Sequence, residues 1–267
     1  MVRPSERRQQ ILKDIGFIDD GLIPTLSAKY NVSEMTIRRD LKILEENGLI
    51  KRTWGGAILW PRGVNGPTVL NRTTRGQLRK AHKEAIARCA VQRFVGDGDI
   101  IIMEGGTTVS AMARHLRHRE ALTVVTNGLH TTELLQRALP PDSTIICSGG
   151  ILRPESSTFV GPTTEQFFRN FHARCLFLSA TGLTIEAGVT DPHVLEIQVK
   201  RAMIGSAGTV VLLLDSSKFG VKSLMTIMDT AAISHIITDE DAPPEMVQAL
   251  RQQGVDVLVA QVRAGAV

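Results

Sequence analysis

The strongest constraint on the fold is a series of short apolar runs that each close on small polar residues. Residues 100–103, 122–125, 144–147, 175–178 and 209–214 are largely apolar and of strand length, and 233–238 and 255–259 continue the series. A helical stretch at 81–94 precedes the series, and others fall between its members at 107–116, 128–139 and 193–204. Strands alternating with helices give an α/β fold, a mostly parallel sheet whose strands are buried on both faces. Ligands of such sheets sit beyond the carboxyl ends of the strands. Here those ends carry Gly105-Gly106-Thr107-Thr108, Thr126-Asn127-Gly128, Gly149-Gly150, Thr181-Gly182 and Asp215-Ser216-Ser217-Lys218. One polar site is expected where they converge.

The first 60 residues have a different pattern. Ser5 caps a helix to about Ile15, with Ile11, Leu12 and Ile15 at helical spacing, and Asp19-Asp20-Gly21 is turn chemistry. A second short helix has Pro24 near its start and Leu26, Ala28 and Tyr30 within it. After a turn at Asn31-Val32, Ser33 caps a third helix, 34–47, and Gly48 closes it. In that helix Ile37, Leu41 and Leu44 form one buried stripe, and Thr36, Arg38, Arg39 and Lys42 point away from much of it. Two helices joined by a short turn, the second presenting hydroxyl and guanidinium groups near its N-terminus, can read the major groove of double-stranded DNA. Residues 49–54 and 57–59, around Gly55-Gly56, predict a wing whose Lys51 and Arg52 clamp backbone phosphates. Charge agrees: residues 1–83 hold 16 Lys and Arg against 8 Asp and Glu, whereas 84–267 hold 15 against 19. A plain three-helix unit with a solvated basic face would explain the arginines alone. Turn, caps, wing and charge together favour a winged helix-turn-helix.

Pro61, Gly63, Gly66, Pro67 and Gly76 break helical periodicity across residues 60–79. The organisation expected is a DNA-binding domain at 1–59, a linker at 60–79 and an α/β domain at 80–267. No apolar run approaches the ~20 residues that span a bilayer, and the N-terminus lacks a signal core, so the expectation is a cytoplasmic chain with no membrane partner. Cys89, Cys147 and Cys175 are widely spaced and fit buried free thiols. His115 and His118 have no third ligand close in sequence, so a solvated helix end is preferred to a metal site, and no cofactor is expected.

The loop Gly105-Gly106-Thr107-Thr108 is suited to an anion. Its glycines let backbone N–H groups approach closely, its hydroxyls add bonds, and a helix N-terminus favours negative charge. Alone, it fits a plain turn between strand and helix equally well. Lys218 could meet a phosphate or carboxylate and Asp215 could accept sugar hydroxyls, but a surface ion pair is an equal reading. Asn127, Gly149, Gly150 and Gly182 are weaker candidates. Glu196 shares an i,i+4 spacing with Lys200 that fits an ordinary helix pair. An isomerase would need a carboxylate base near an aldose phosphate. Glu196 or Asp215 could be nominated, with Lys218 stabilising charge, yet no spacing fixes either as a base.

Val32-Ser33, Thr36-Ile37-Arg38-Arg39-Asp40-Leu41, Leu44-Glu45, Gly48 and Arg52-Thr53-Trp54-Gly55-Gly56-Ala57 closely resemble the DeoR family of bacterial repressors, with Trp54 in place of the usual histidine. The resemblance continues to about Asp239 through Gly106-Thr107-Thr108, Thr126-Asn127, Gly149-Gly150, Val160-Gly161, Gly182, Glu196, Lys200-Arg201 and residues 215–220. Glu104 stands where the family usually has aspartate, and Ala180-Thr181-Gly182 also departs from its commoner run. The resemblance implies a sensor domain similar in fold to ribose-5-phosphate isomerase and CoA transferases, binding phosphorylated sugars or sugar derivatives. The phosphate role then falls on Gly106, Thr107 and Thr108, with Lys218 as a further charged contact, and DNA reading on Ser33, Thr36, Arg38 and Arg39. The expected function is a non-enzymatic repressor of a carbohydrate catabolism operon, gated by a phosphorylated sugar effector. A homo-oligomer, dimer or tetramer, is expected because paired helix-turn-helix units match repeated half-sites.

Overall fold

The computed structural model describes Arg7, Arg8, Gln10, Ile11 and residues 21–46, 50–52, 56–59 and 72–262. Most of the expected first helix, the turn at 19–20, the stop at Gly48, the turn at 53–55 and residues 60–71 lie outside them. The chain divides into two compact units, Met1–Leu70 and Asn71–Val267. Among the described residues no helix is long and apolar enough to cross a membrane.

In the first unit β1 (Gly21–Leu22), α1 (Ile23–Tyr30), α2 (Glu34–Glu46), β2 (Ile50–Arg52) and β3 (Gly56–Leu59) follow in order. β3 lies between β1 and β2 and is antiparallel to both. The expected wing is therefore joined by a third strand, two residues long and too short to show a pattern. Ile37, Leu41 and Leu44 of α2 are buried with Ile11, Ile23 and Leu26. Asn31 makes the turn between helices with φ 49°, a left-handed conformation that asparagine adopts more readily than most residues. Ser33 caps α2, its Oγ accepting the Thr36 N–H at 3.3 Å. Asp40 is buried on α2 and accepts a hydrogen bond from Arg7 Nε at 2.7 Å.

The second unit opens with α3 (Arg72–Gln77) and α4 (Lys80–Phe94). Residues 72–77, within the stretch expected to be linker, are thus helical, and α3 packs on α5 (Thr107–Ser110). Seven parallel strands follow: β4 (Ile100–Met103), β5 (Thr123–Thr126), β6 (Thr144–Cys147), β9 (Ala173–Leu178), β12 (Ala207–Leu213), β14 (His235–Asp239) and β15 (Asp256–Ala260), in the order β15-β14-β12-β9-β4-β5-β6. Alternate residues feed two cores. Ile102, Val125, Leu176, Leu178 and Leu212 pack with Phe168 of α7 (Pro162–Phe168), Ile197 and Met203 of α8 (Val194–Ile204) and Leu250 of α9 (Pro244–Gln252). Ile101, Met103, Val124, Phe177, Val211 and Leu213 pack with Ile86 and Val91 of α4 and Leu135 of α6 (Leu129–Ala138). Each such fully buried side chain contributes about 1.5–3 kcal/mol.

The strand order reverses around β4. β5 and β6 run out on one side of it, and β9 and the later strands on the other. A crevice opens at such a switch point, beyond the carboxyl ends of β4 and β9. Two small sheets were not expected from the sequence. They are the hairpin of β7 (Ile151–Arg153) and β8 (Thr158–Val160), and an antiparallel sheet of β10 (Gly182–Thr184), β11 (Gly188–Asp191) and β13 (Met225–Met228). Their strands are only three or four residues long, and the pairing of β11 with β13 joins segments more than 30 residues apart.

Candidate functional site

The switch point is filled by the loop after β4. Gly105 N donates to Asn127 Oδ1 at 3.0 Å, which ties the loop to the end of β5. A Cβ on Gly105 would lie 2.5 Å from Thr158 Cγ2, and one on Gly106 would lie 2.0 Å from Ser179 Oγ. Both glycines are therefore demanded by close approach rather than by an unusual φ. The helix that follows differs from expectation. α5 is four residues long and passes into a 3-10 turn at Ala111–His115. So short a helix sums few peptide dipoles, and the helix dipole expected to favour an anion here is correspondingly small.

Basic side chains reach the loop from ahead of the sheet. Lys83 of α4, 6% exposed, donates to Thr107 Oγ1 at 3.1 Å and also to the Arg75 carbonyl. Burial, followed by the positive charges of Lys218, Arg75 and Arg72, brings its ammonium down to about 8 against the pull of Asp215. Arg72 of α3 donates to the Gly105 carbonyl at 2.5 Å and to Ser110 Oγ at 2.7 Å. Arg79, between α3 and α4, takes φ 52° and lies 3.6 Å from Asp215, 3.1 Å from Asp239 and 2.8 Å from Asp241. His82, Asp239 and Asp241 offer ligand atoms within 4.8 Å of one another, and the Arg79 guanidinium sits on both carboxylates. Asp215, at the end of β12, accepts from Ser217 N at 3.2 Å. Burial pushes its carboxyl up, but Lys218, the Ser217 hydroxyl, Lys83 and Arg79 outweigh that and hold it below the usual aspartate value.

An acidic network lies behind the same loop. Glu104 accepts from Ser179 Oγ at 2.8 Å and stands 3.6 Å from the Lys200 ammonium. Lys200, on α8, also pairs with Asp191 of β11 and donates to the Ser179 carbonyl at 2.8 Å. Despite full burial, Asp191, Glu104 and Glu196 raise its pKa, so it stays charged. Glu196 pairs with Arg153 at 2.6 Å and accepts from Thr158 Oγ1 at 3.2 Å. Burial alone would raise Glu196, but Lys200, a serine hydroxyl and Arg153 lower it.

In the first unit Ser33, Arg38, Arg39 and Lys42 are exposed on or beside α2, and Thr36 is half-buried. Ser33 Oγ and Thr36 Oγ1 are hydrogen-bonded to each other at 2.9 Å, so the cap partly occupies both hydroxyls. β2 presents Lys51 and Arg52, whose side chains lie outside the described residues.

Comparison with known proteins decides the family. Residues 7–61 match the DeoR-like helix-turn-helix domain and residues 78–240 the DeoR C terminal sensor domain. The chain belongs to the DeoR family. It is 33% identical over 258 residues to the HTH-type transcriptional regulator GolR of Listeria innocua, covering 97% of this chain and 99% of that protein. It is 32% identical to the HTH-type transcriptional regulator GlpR of Haloferax volcanii, covering 96% and 97%. It is 29% identical to the glycerol-3-phosphate regulon repressor of Escherichia coli K12, covering 93% and 94%. Among solved structures, ribose 5-phosphate isomerase A of Methanocaldococcus jannaschii aligns with a TM-score of 0.38 and 16% identity, over 52% of this chain and about half, 54%, of that one.

As a DeoR protein the chain is a DNA-binding transcriptional regulator with a sensor domain. Within that domain Gly105, Gly106, Thr107 and Thr108 follow β4, Asn127 follows the adjacent β5, and Asp215 and Lys218 follow β12, one strand beyond β9 on the other side of β4. Glu196 is no simple i,i+4 partner of Lys200, because its carboxylate turns to Arg153 and Thr158. Gly149, Gly150 and Gly182 have local reasons to be glycine. Gly149 and Gly150 take φ of 62° and 114° in the turn before β7, and a Cβ on Gly182 would lie 2.1 Å from the Val221 carbonyl. The sequence reading missed Lys83, Arg72, Arg75 and Arg79. Their spacing of three, four and four residues was a usable signal, a basic stripe at near-helical period. Arg153, Ser179 and Asp191 carried no such signal. His115 meets Glu84 at 3.1 Å and His118 accepts from Arg117, so the two histidines have separate partners.

Proposed function

We propose that this DeoR regulator is a repressor of a carbohydrate-use operon, and that a phosphorylated sugar bound at the ends of β4 and β12 sets its affinity for operator DNA. The carrying observation is buried Lys83, which donates to Thr107 and has Lys218, Arg75 and Arg72 close enough to act on its ammonium, with Asp215 as the nearby carboxylate. Like charges held together in a buried site are stabilised by an anion, and a phosphate monoester brings close to two negative charges. Asp215, which faces Lys83, is the carboxylate that would accept a sugar hydroxyl. A relative's name supports the repressor part of the reading and a small phosphorylated polyol as the kind of compound involved: it is the glycerol-3-phosphate regulon repressor.

An isomerase suits this site poorly. A general base should titrate near the working pH, whereas the surroundings of Glu196 and Asp215 hold both carboxyls below their ordinary values. Gating follows if the effector prefers one arrangement of a homo-oligomer and shifts the population toward or away from the one that spans two DNA half-sites. A thermal-shift screen of phosphorylated sugars, followed by operator anisotropy with each hit, tests this. A hit raises Tm and changes DNA affinity. Salt-sensitive DNA binding that no phosphorylated sugar alters would refute the gating. Turnover of a pentose or hexose phosphate that disappears in Glu196→Gln or Asp215→Asn would establish the enzyme instead.

A further inference from the structure

The hairpin of β7 and β8 stands apart within the second unit. It is a sheet of two strands, joined to its surroundings by a single bridge between Thr158 and Gly128. Two strands alone are marginally stable in water, so the hairpin's position depends on what it touches. Three neighbours hold it. Beyond β5, Phe159 N donates to the Asn127 carbonyl at 2.7 Å, Asn127 Nδ2 donates to the Phe159 carbonyl at 3.1 Å, and Leu129 N donates to the Ser157 carbonyl at 2.9 Å. At the hairpin turn the Glu155 carbonyl accepts from the N–H of Arg72, the first residue of α3, at 2.9 Å. On the far side Arg153 and Thr158, opposite each other in the ladder, both donate to Glu196 of α8, at 2.6 Å and 3.2 Å. Arg153 Nη2 also lies 3.2 Å from His193 Nε2. The hairpin therefore reaches from the end of β5 to α8, past the end of β4, where Thr158 packs against Gly105. Gly105 and Asn127 are both buried there.

The two ends of the hairpin are glycines at positive φ: Gly149 at 62° and Gly150 at 114° before β7, and Gly161 at 96° after β8. Such positions absorb the backbone rotation of a hinge. The two long sides are attached differently. Toward residues 127–129 the bonds involve the backbone, whereas toward α8 they are made by side chains alone, centred on an ion pair in which Arg153 is 17% and Glu196 12% exposed. The α8 side can part without undoing the ladder of β7 and β8. We propose that this hairpin is a strap across the crevice, hinged at its glycines and latched to α8 by Arg153 and Glu196, and that the latch parts whenever a ligand enters or leaves the end of β4. What the strap admits rests on the effector reading above. A strap sets the rates of entry and exit together and leaves the equilibrium affinity unchanged, whereas losing a ligand contact acts through dissociation. Because Glu155 holds the first residue of α3, opening the strap also loosens the start of the sensor unit.

The test uses the full-length protein and two measurements. Hydrogen exchange without ligand should show the amides of 151–160 opening together, and faster than those of 100–103 and 173–178 in the sheet. Arg153→Met should speed exchange at 151–160 about tenfold, as loss of a charge-assisted bond implies, and leave 173–178 unchanged. Glu196 keeps Thr158 and the nearby charge of Lys200 in that variant, and Arg153→Lys, which should restore part of the latch, guards against misfolding. Phosphorus-31 relaxation dispersion and titration, with inorganic phosphate and separately with ribose 5-phosphate, then give rates and Kd. Arg153→Met should raise association and dissociation by the same factor. Gly149→Asn should lower both by about threefold, because the hinge loses backbone freedom. An added Cβ at Gly149 meets nothing within 4 Å and asparagine tolerates its φ, so the latched form is kept. Exchange at 151–160 as slow as at 173–178, unmoved by Arg153→Met, overturns the strap. A Kd raised in Arg153→Met through dissociation alone also overturns it, by making Arg153 a ligand contact. Both results leave the effector reading standing. Binding of neither anion to the wild-type protein overturns that reading, and with it the strap as a gate, even where the hairpin opens as expected.

Discussion

The reading helix α2 and the loop after β4 both gather positive charge, in opposite surroundings. On α2, Arg38, Arg39 and Lys42 are exposed, and water solvates them until a polyanion arrives. Around Thr107 the charge is buried: Lys83 is 6% exposed and its ammonium is pushed down to about 8. Exposed charge is screened by salt and little affected by pH near neutrality. Buried charge is screened less and responds to pH, because desolvation has moved its titration toward the working range. Under the proposed function one chain carries two kinds of anion-binding surface, one matched to a long polymer and the other to a small ligand. Their responses to salt, pH and substitution should separate.

The largest separation is expected from the buried ion pair that holds α2 in place. Removing one partner of such a pair leaves an uncompensated charge and costs about 3–5 kcal/mol. Asp40→Ala would strand Arg7, 7% exposed, beside the core of Ile11, Ile37 and Leu41. We expect this variant to lose operator binding through unfolding of the first unit, with the sensor still giving a thermal shift with its ligand. Limited proteolysis checks it: cleavage should speed up within 7–46 and stay unchanged within 80–260. Equal cleavage of both units would mean that their stabilities are not separate.

The next effect belongs to the other surface. Lys83→Met removes the charge that meets Thr107, and hydrogen bonds to charged groups are worth about 1.5–3 kcal/mol. Anion affinity should fall at least tenfold, with operator affinity unchanged when no effector is present. The pH dependence has a definite sign. The folded pKa of Lys83, about 8, lies below its unfolded value, so the unfolded chain binds more protons between the two. Ligand-free stability should therefore rise as pH climbs from about 8 toward the ordinary lysine range. Anion affinity should fall over the same interval, because the ammonium is lost while a phosphate with its second pKa near 6 stays fully charged. Calorimetry and ligand titration at pH 7 and pH 9 measure both, and Lys83→Met should flatten both. A wild-type affinity that does not change between those pH values would remove Lys83 from the site.

The same contrast explains what the sequence could reveal. α2 was legible because its information is local: Ile37, Leu41 and Leu44 recur on one face, and Ser33 caps the start. The seven strands were legible because strands buried on both sides are continuous apolar runs. The Gly105-Gly106 loop stood out as a possible anion cradle, whereas close packing against Thr158 and Ser179 is what its glycines show. The side chains that make it cationic, Lys83 and Arg75, come from elements before the first sheet strand, where they looked like helix surface and linker. Arg153 and Asp191 enter through the hairpin and the small antiparallel sheet, and register between such short strands is decided only when the whole fold closes.

Smaller effects return to α2. Arg38→Ala or Arg39→Ala should weaken specific operator binding by about 1–3 kcal/mol if the guanidinium meets a base edge. The same loss on every sequence would mark that arginine as a phosphate contact, with a shallower dependence on salt. Sensor responses should not change in either variant.

The smallest effect tests the exposed surface itself. Glu34 lies 3.8 Å from Arg38, each side chain about half exposed. An i,i+4 pair of this kind contributes about 0.3–0.5 kcal/mol to stability. Glu34→Gln should therefore leave the urea midpoint almost unmoved. Its effect on DNA should have the opposite sign to the arginine changes, since it removes a negative charge from the end of the helix that approaches phosphates and releases Arg38 from its partner. Operator and random DNA should both bind slightly more tightly, and the gain should shrink as salt rises, because it comes from screened charge rather than from a base contact. Tighter binding confined to the operator would instead mean that Glu34 had been steering Arg38 toward or away from a particular base. Arg38 would then be preorganised within the first unit, as Lys83 is in the second.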